Sequence, residues 1–144
     1  MRDILRPGMS ETIEFDIPRE KTVPFLYPEF REFQEIPEVF ATGYMVGLME
    51  CCCIRSLACA LEPGEGSLGT LINVTHVAPT PPGGRVTVTA TVEEVAGRKI
   101  VWRIVARDDI DVIGEGKIGR AVVQWERFNQ MVAKKKEKID SLKS

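Results

Sequence analysis

Between Arg85 and Glu93 polar and apolar residues alternate without a break, Arg-Val-Thr-Val-Thr-Ala-Thr-Val-Glu. A period of two is the mark of a strand with one buried face. Lys99 to Arg107 repeats the pattern after a turn at Gly97, and Ile113 to Trp125 reads as a third strand interrupted by glycines. The three predict an antiparallel meander. Ser10 to Ile17 alternates in the same way, with Ile13, Phe15 and Ile17 facing inward, and Pro18 stops it. A further strand is expected from about Ser67 to Val77, leading into the proline-rich loop Ala78 to Gly84.

Between the first strand and the rest the period changes. Residues 18–38 hold Phe25, Leu26, Tyr27, Phe30, Phe33 and Ile36 among prolines with no steady spacing, which predicts an irregular packed lid. Phe40 to Leu61 is apolar nearly all round, is ended by Pro63-Gly64, and is long enough for one helix buried on most faces. A sheet wrapped around one long central helix buries such a rod, so an α+β domain spanning residues 1–144 is expected. Residues 128–144 form a helical tail, with Phe128, Met131, Val132, Ile139 and Leu142 as contacts and Lys134 to Lys136 as a solvated face.

Composition narrows the function classes. The formal charge is -2, from 19 basic and 21 acidic side chains, so no broad positive field favours nucleic acid. The longest apolar run contains Glu50, and the first eight residues lack the apolar core of a secretory signal. A cytoplasmic protein without a membrane partner is expected. Cys51, Cys52, Cys53 and Cys59 crowd one helix, where they read as reduced buried side chains rather than disulfides or a metal site. With a single histidine in the chain, no metal is expected.

Two segments, Gly64 to Gly69 and Gly114 to Gly119, carry the glycine spacing of dinucleotide-binding loops. Neither follows a strand and opens a helix, so turn or bulge glycines are the better reading. His76, near the end of a predicted strand, reads either as a hydrogen-bonded strand histidine or as a general base. Glu50 is one of two charged groups in the buried helix, and a spacing of five turns Arg55 away from it. A functional partner becomes possible. Thr42 at the helix start is either an N-cap or a hydroxyl placed among free helix amides, where an oxyanion would be stabilised. Thr42, His76 and Glu50 form a hydroxyl, base and orienter set. Eight positions separate Thr42 from Glu50, about 12 Å along an ideal helix, so one imidazole bridges them only if the first turn is irregular or a second protomer contributes.

The segments Phe40 to Glu50, Leu61 to Thr70, Val74-Thr-His76 and Pro79 to Gly83 closely resemble the fluoroacetyl-CoA thioesterase family of hotdog-fold proteins, a likeness that extends from about Lys21 to Asn129. The resemblance implies a homodimer with sites at the subunit interface, an acyl-CoA substrate and no cofactor beyond the coenzyme A of that substrate. It implies Thr42 as nucleophile or water-positioning hydroxyl, His76 as base and Glu50 as the carboxylate that orients or activates it. Gly69 and Arg120 would border the acyl group, and Val23, Leu26 and Phe33 would form a hydrophobic lid. Where the family has a phenylalanine gate this chain has Ile36, so thioester hydrolysis carries over better than fluoroacetyl selectivity. A noncatalytic acyl-CoA sensor and a hydratase on the same fold are the alternatives.

Overall fold

The computed structural model describes residues 1–143; Ser144, the end of the expected tail, lies outside them. Five strands form one antiparallel sheet: β1 Ser10–Asp16, β2 Glu65–Val74, β3 Arg85–Ala96, β4 Lys99–Arg107 and β5 Val112–Gln124. Their spatial order is β1-β3-β4-β5-β2. The meander is therefore β3-β4-β5, flanked by β1 on one edge and β2 on the other. Gly97, at φ +62°, makes the β3–β4 turn, a conformation open to glycine without steric penalty.

The period-two pattern is reproduced in burial. Val86, Val88 and Ala90 of β3 and Ile100, Trp102, Ile104 and Ala106 of β4 are fully enclosed. They face α3, Thr42–Leu57, which turns inward Met45, Leu48, Met49, Cys52, Cys53 and Leu57. The Trp102 indole donates to Ser56 Oγ at 2.9 Å, tying rod to sheet. This is the expected hotdog arrangement, with the helix shorter than its apolar run: a 3-10 turn, Ala58–Ala60, ends it.

Two expectations need correction. The rod is not covered on most faces: Gly43, Gly47 and Ile54 are exposed, with Val46 and Glu50 half-buried between them. Those positions recur every three or four residues and make one stripe, because five strands of a single chain curl around only part of a helix. The tail also fails to pack as expected. It is a helix, α4 Trp125–Leu142, yet no residue in it is buried, and Met131, Val132, Ile139 and Leu142 are all exposed.

The lid has more regular structure than its composition predicts. A 3-10 turn at Arg19–Lys21 leads to two single-turn helices, α1 Val23–Leu26 and α2 Arg31–Gln34. Phe25, Phe30 and Ile36 are exposed on it. Thr22 and Phe40 form an isolated antiparallel bridge that pins the lid's base to the chain entering α3.

Candidate active site

Thr42 is the first helical residue of α3, and Ala41, not Thr42, occupies the N-cap with no side-chain cap bond. The capping alternative is thereby overturned. The hydroxyl is used elsewhere: Thr42 Oγ1 lies 2.7 Å from His76 Nδ1. His76 follows the end of β2 and is held between two backbone bonds to β5, Thr75 N–H to the Glu115 carbonyl and Val77 N–H to that of Ile113. Burial holds the imidazole below its ordinary 6.5, with the Ala78 backbone pulling the other way, so the neutral, proton-accepting form prevails near pH 7. Its Nε2 is buried with no hydrogen-bond partner among the described residues. The N–H groups of Thr42, Gly43 and Tyr44 begin the helix without intrahelical acceptors, giving a set of donors beside the hydroxyl.

A latch behind this pair had no signal in the sequence. Thr80, 1% exposed, donates its hydroxyl to Asp108 Oδ2 at 2.8 Å, while Asp108 Oδ1 accepts the N–H groups of Ile110 and Asp111. The Thr80 carbonyl accepts the Phe40 N–H at 2.8 Å. The loop carrying His76 is thus fixed against the residue two places before Thr42. The three partners are 28 to 68 positions apart, so no local motif announces them.

Glu50 does not meet His76 within one chain. Its Oε2 accepts from Arg120 Nη1 at 2.8 Å, and its side chain is 33% exposed rather than deeply buried. Arg120, 6% exposed as a side chain, also donates from Nε to Ser67 Oγ and from Nη2 to the Ser67 carbonyl, each at 2.8 Å. The helix's first turn is regular, and Glu50 sits two turns farther along. Gly69 completes this second cluster: a Cβ there would stand 2.9 Å from Glu50 Oε2 and 3.7 Å from Arg120 Nη1. Beside it, Thr70 is the extra residue of a β-bulge, since Gly69 pairs with Arg120 and Leu71 with Gly119, a distortion that re-aims side chains.

The lid residues divide. Val23 and Ile36 line a cleft of about 350 Å³ together with Thr42 and His76. Phe33 instead packs on Tyr27 and Phe30, and Leu26 leans toward Gly43. Tyr27, which the sequence reading did not single out, places its hydroxyl where a Cβ on Gly43 would go. Only glycine admits that approach.

The glycine-spaced segments behave as turn and sheet glycines. Gly64 (φ +82°) turns the chain into β2, Gly66 makes room for the Trp125 ring, and Gly114 and Gly116 for the backbone at Thr75 and Asn73. Among the cysteines Cys52 and Cys53 are buried, their thiols pushed up to about 11 and about 12 by desolvation. Cys51 is half-buried and Cys59 exposed, so the expectation that all four are buried fails for these two.

A sheet curled about one rod, with a half-buried imidazole against a hydroxyl at the rod's N-terminal end, defines a hotdog thioester hydrolase. The model of a family described as fluoroacetyl-CoA-specific thioesterase matches residues 24–126. The chain belongs to that family. The fluoroacetyl-CoA thioesterase of Streptantibioticus cattleyicolor is 56% identical over 135 residues, 94% of this chain and 97% of that protein. A solved structure of a fluoroacetyl-CoA thioesterase superposes with TM-score 0.90 at 56% identity, covering 92% of this chain and 98% of the other. A variant solved in complex with acetyl-CoA gives 0.89 at 56% identity, over 91% and 98% of the two chains.

Proposed function

We propose that this enzyme hydrolyses short acyl-CoA thioesters, including those of the fluoroacetyl type, with Thr42 and His76 of one protomer and Glu50 of the partner subunit in each site. The observation that carries the chemistry is the 2.7 Å contact between Thr42 Oγ1 and His76 Nδ1. In the Nε2–H tautomer, Nδ1 accepts the hydroxyl proton as Thr42, or a water it positions, attacks the thioester carbonyl. The oxyanion forms beside the free amides of α3's first turn. Collapse expels the thiolate, which takes the proton back from the imidazole. Where an acyl-threonine forms, water enters by the same route, and the products are a carboxylic acid and coenzyme A.

Three features support the dimer. The outer edge of β2 has no partner strand among the described residues. Leu71 and Ile72 on that strand are exposed, as is the α3 stripe of Gly43, Gly47 and Ile54. A second copy that extends the sheet along β2 and covers the stripe would bring Glu50 of the partner subunit toward the Thr42–His76 pair. Because the two clusters are separated within one chain, that arrangement gives each carboxylate a site to serve. Gly69 and Arg120 then border the acyl group, and Val23 and Ile36 shield it from water. Four unpaired cysteines, one exposed, suit the reducing cytoplasm.

The test is thiol release across a panel of short acyl-CoAs. Turnover that falls at least a thousandfold in His76→Ala, with the fold retained by circular dichroism, supports the reading. Tight coenzyme A binding without turnover by the wild type across the panel contradicts it and favours a sensor.

A further inference from the structure

The two roots of the lid are tied together by backbone bonds: Val23 N–H donates to the Val39 carbonyl at 3.0 Å and Ala41 N–H to that of Lys21 at 3.1 Å. Beyond the roots the segment is braced from within. Arg19 lies 4.6 Å over the Phe25 ring and pairs with Glu38, while the Tyr27 carbonyl accepts the Phe30 N–H and Gln34 Nε2. Those contacts hold α1 and α2 as one unit without fixing how low that unit rests on α3. Tyr27, in the turn between the two short helices, makes that contact. Its ring packs on Phe33, centroids 4.7 Å apart, and its hydroxyl reaches the head of α3, in the space a Cβ on Gly43 would fill. The hydroxyl has no hydrogen-bond partner among the described residues, so the contact is a fit of shapes, which close-packed groups enforce to within a methyl group.

What the lid carries gives this contact a consequence for substrate. Val23 and Ile36 line the cleft of about 350 Å³ together with Thr42 and His76, so the height of the lid above α3 fixes the reach of that cleft. Tyr27 itself is not among the lining residues. We infer that Tyr27 is a strut that determines specificity: by bearing on Gly43 it sets the height of the lid, and with it the length of acyl chain the cleft admits. The inference rests on the thioesterase reading and adds a positioning residue, one that acts through the cleft wall and not on the reacting atoms. A wall moved by the width of one methyl group is enough, because an apolar pocket separates neighbours in a homologous series by the fit of each methylene, about tenfold or more apiece.

The experiment creates the clash and then relieves it. In Gly43→Ala the new methyl takes the place of the Tyr27 hydroxyl and lifts the lid. In Gly43→Ala/Tyr27→Phe that oxygen is gone, and the methyl meets Cζ of the ring at 3.5 Å and Leu26 Cδ2 at 3.7 Å, both ordinary contacts. Wild type and the two variants are assayed with acetyl-CoA and hexanoyl-CoA. The readout is the ratio of kcat/KM for hexanoyl-CoA to that for acetyl-CoA, which a partly unfolded preparation leaves unchanged because both rates scale together. The expected result is a ratio raised about tenfold in Gly43→Ala and returned to within about threefold of wild type in the double variant. A ratio that stays at the wild-type value in Gly43→Ala, or a double variant as altered as Gly43→Ala, overturns the inference. If the wild type hydrolyses neither thioester, the thioesterase reading fails on its own, and hydrogen exchange of the amides in residues 24–36 then decides. Exchange that is faster in Gly43→Ala and restored in the double variant supports the strut; equal exchange in all three proteins rejects it.

Discussion

Glu50 is held by Arg120, one charge-assisted bond at 2.8 Å from a guanidinium that is itself clamped twice by Ser67. A carboxylate aimed in this way has little freedom to swing, and it occupies the room that a side chain at position 69 would take. In Gly69→Ala the new Cβ would lie 2.9 Å from Oε2, so the carboxylate shifts by a few tenths of an ångström. We expect kcat/KM to fall about tenfold, roughly 1.4 kcal/mol, with thermal stability nearly unchanged. Arg120→Met leaves the Ser67 groups and Glu50 unpartnered and should lower stability by about 2–3 kcal/mol. Thermal melts and steady-state kinetics separate the two effects.

Half-burial within its own chain holds the His76 imidazole below its ordinary 6.5. Its neutral form is the base, so kcat/KM should be flat near neutrality and fall as pH drops through a midpoint under 6.5. Stability follows the same sign: the unfolded chain takes up the proton at 6.5 and the folded chain later, so stability present above 6.5 is lost on acidification through the folded value. A pH–rate profile checks the first statement. An acid limb centred above 6.5 would contradict it.

The Thr80–Asp108 latch acts through the loop that carries His76. Thr80→Val keeps the volume and removes the hydroxyl, which should cost about 1–1.5 kcal/mol of stability and lower kcat several-fold with little change in KM. Thr80→Ser, which keeps the donor, should restore kcat. Equal kcat in wild type and the valine variant would show that the loop needs no latch.

Ile36 lines the cleft beside Thr42 and is exposed at its mouth. Replacing it with phenylalanine adds an aromatic wall and excludes more water. Ile36→Phe should raise the ratio of fluoroacetyl-CoA to acetyl-CoA turnover by about three- to tenfold, the scale that a modest change in pocket volume supports. Competition between the two thioesters reads the ratio directly.

The strands were legible because β3 and β4 bury alternate side chains against one rod, leaving period two intact in the sequence. The rod itself was legible in place, though it is shorter at both ends than its apolar run, but not in exposure: Gly43, Gly47 and Ile54 read as core, and nothing local distinguishes a face covered by the chain's own sheet from one left open. Thr42, His76 and Glu50 stood out by residue type and place, and Thr42 did find His76. Glu50 found Arg120 instead, because a partner 70 positions away is set by strand pairing that periodicity does not encode. The Thr80–Asp108 latch was silent for the same reason.

The central claim is that each site takes its hydroxyl and imidazole from one protomer and its carboxylate from the other. Subunit reassortment tests it most directly. Glu50→Gln and His76→Ala homodimers, each inactive, are mixed, exchanged and assayed for thiol release. In a two-fold dimer with shared sites every mixed dimer regains one intact site, and random exchange gives about a quarter of wild-type activity. Mixtures that exchange subunits yet stay inactive would place all three groups in one chain and contradict the account.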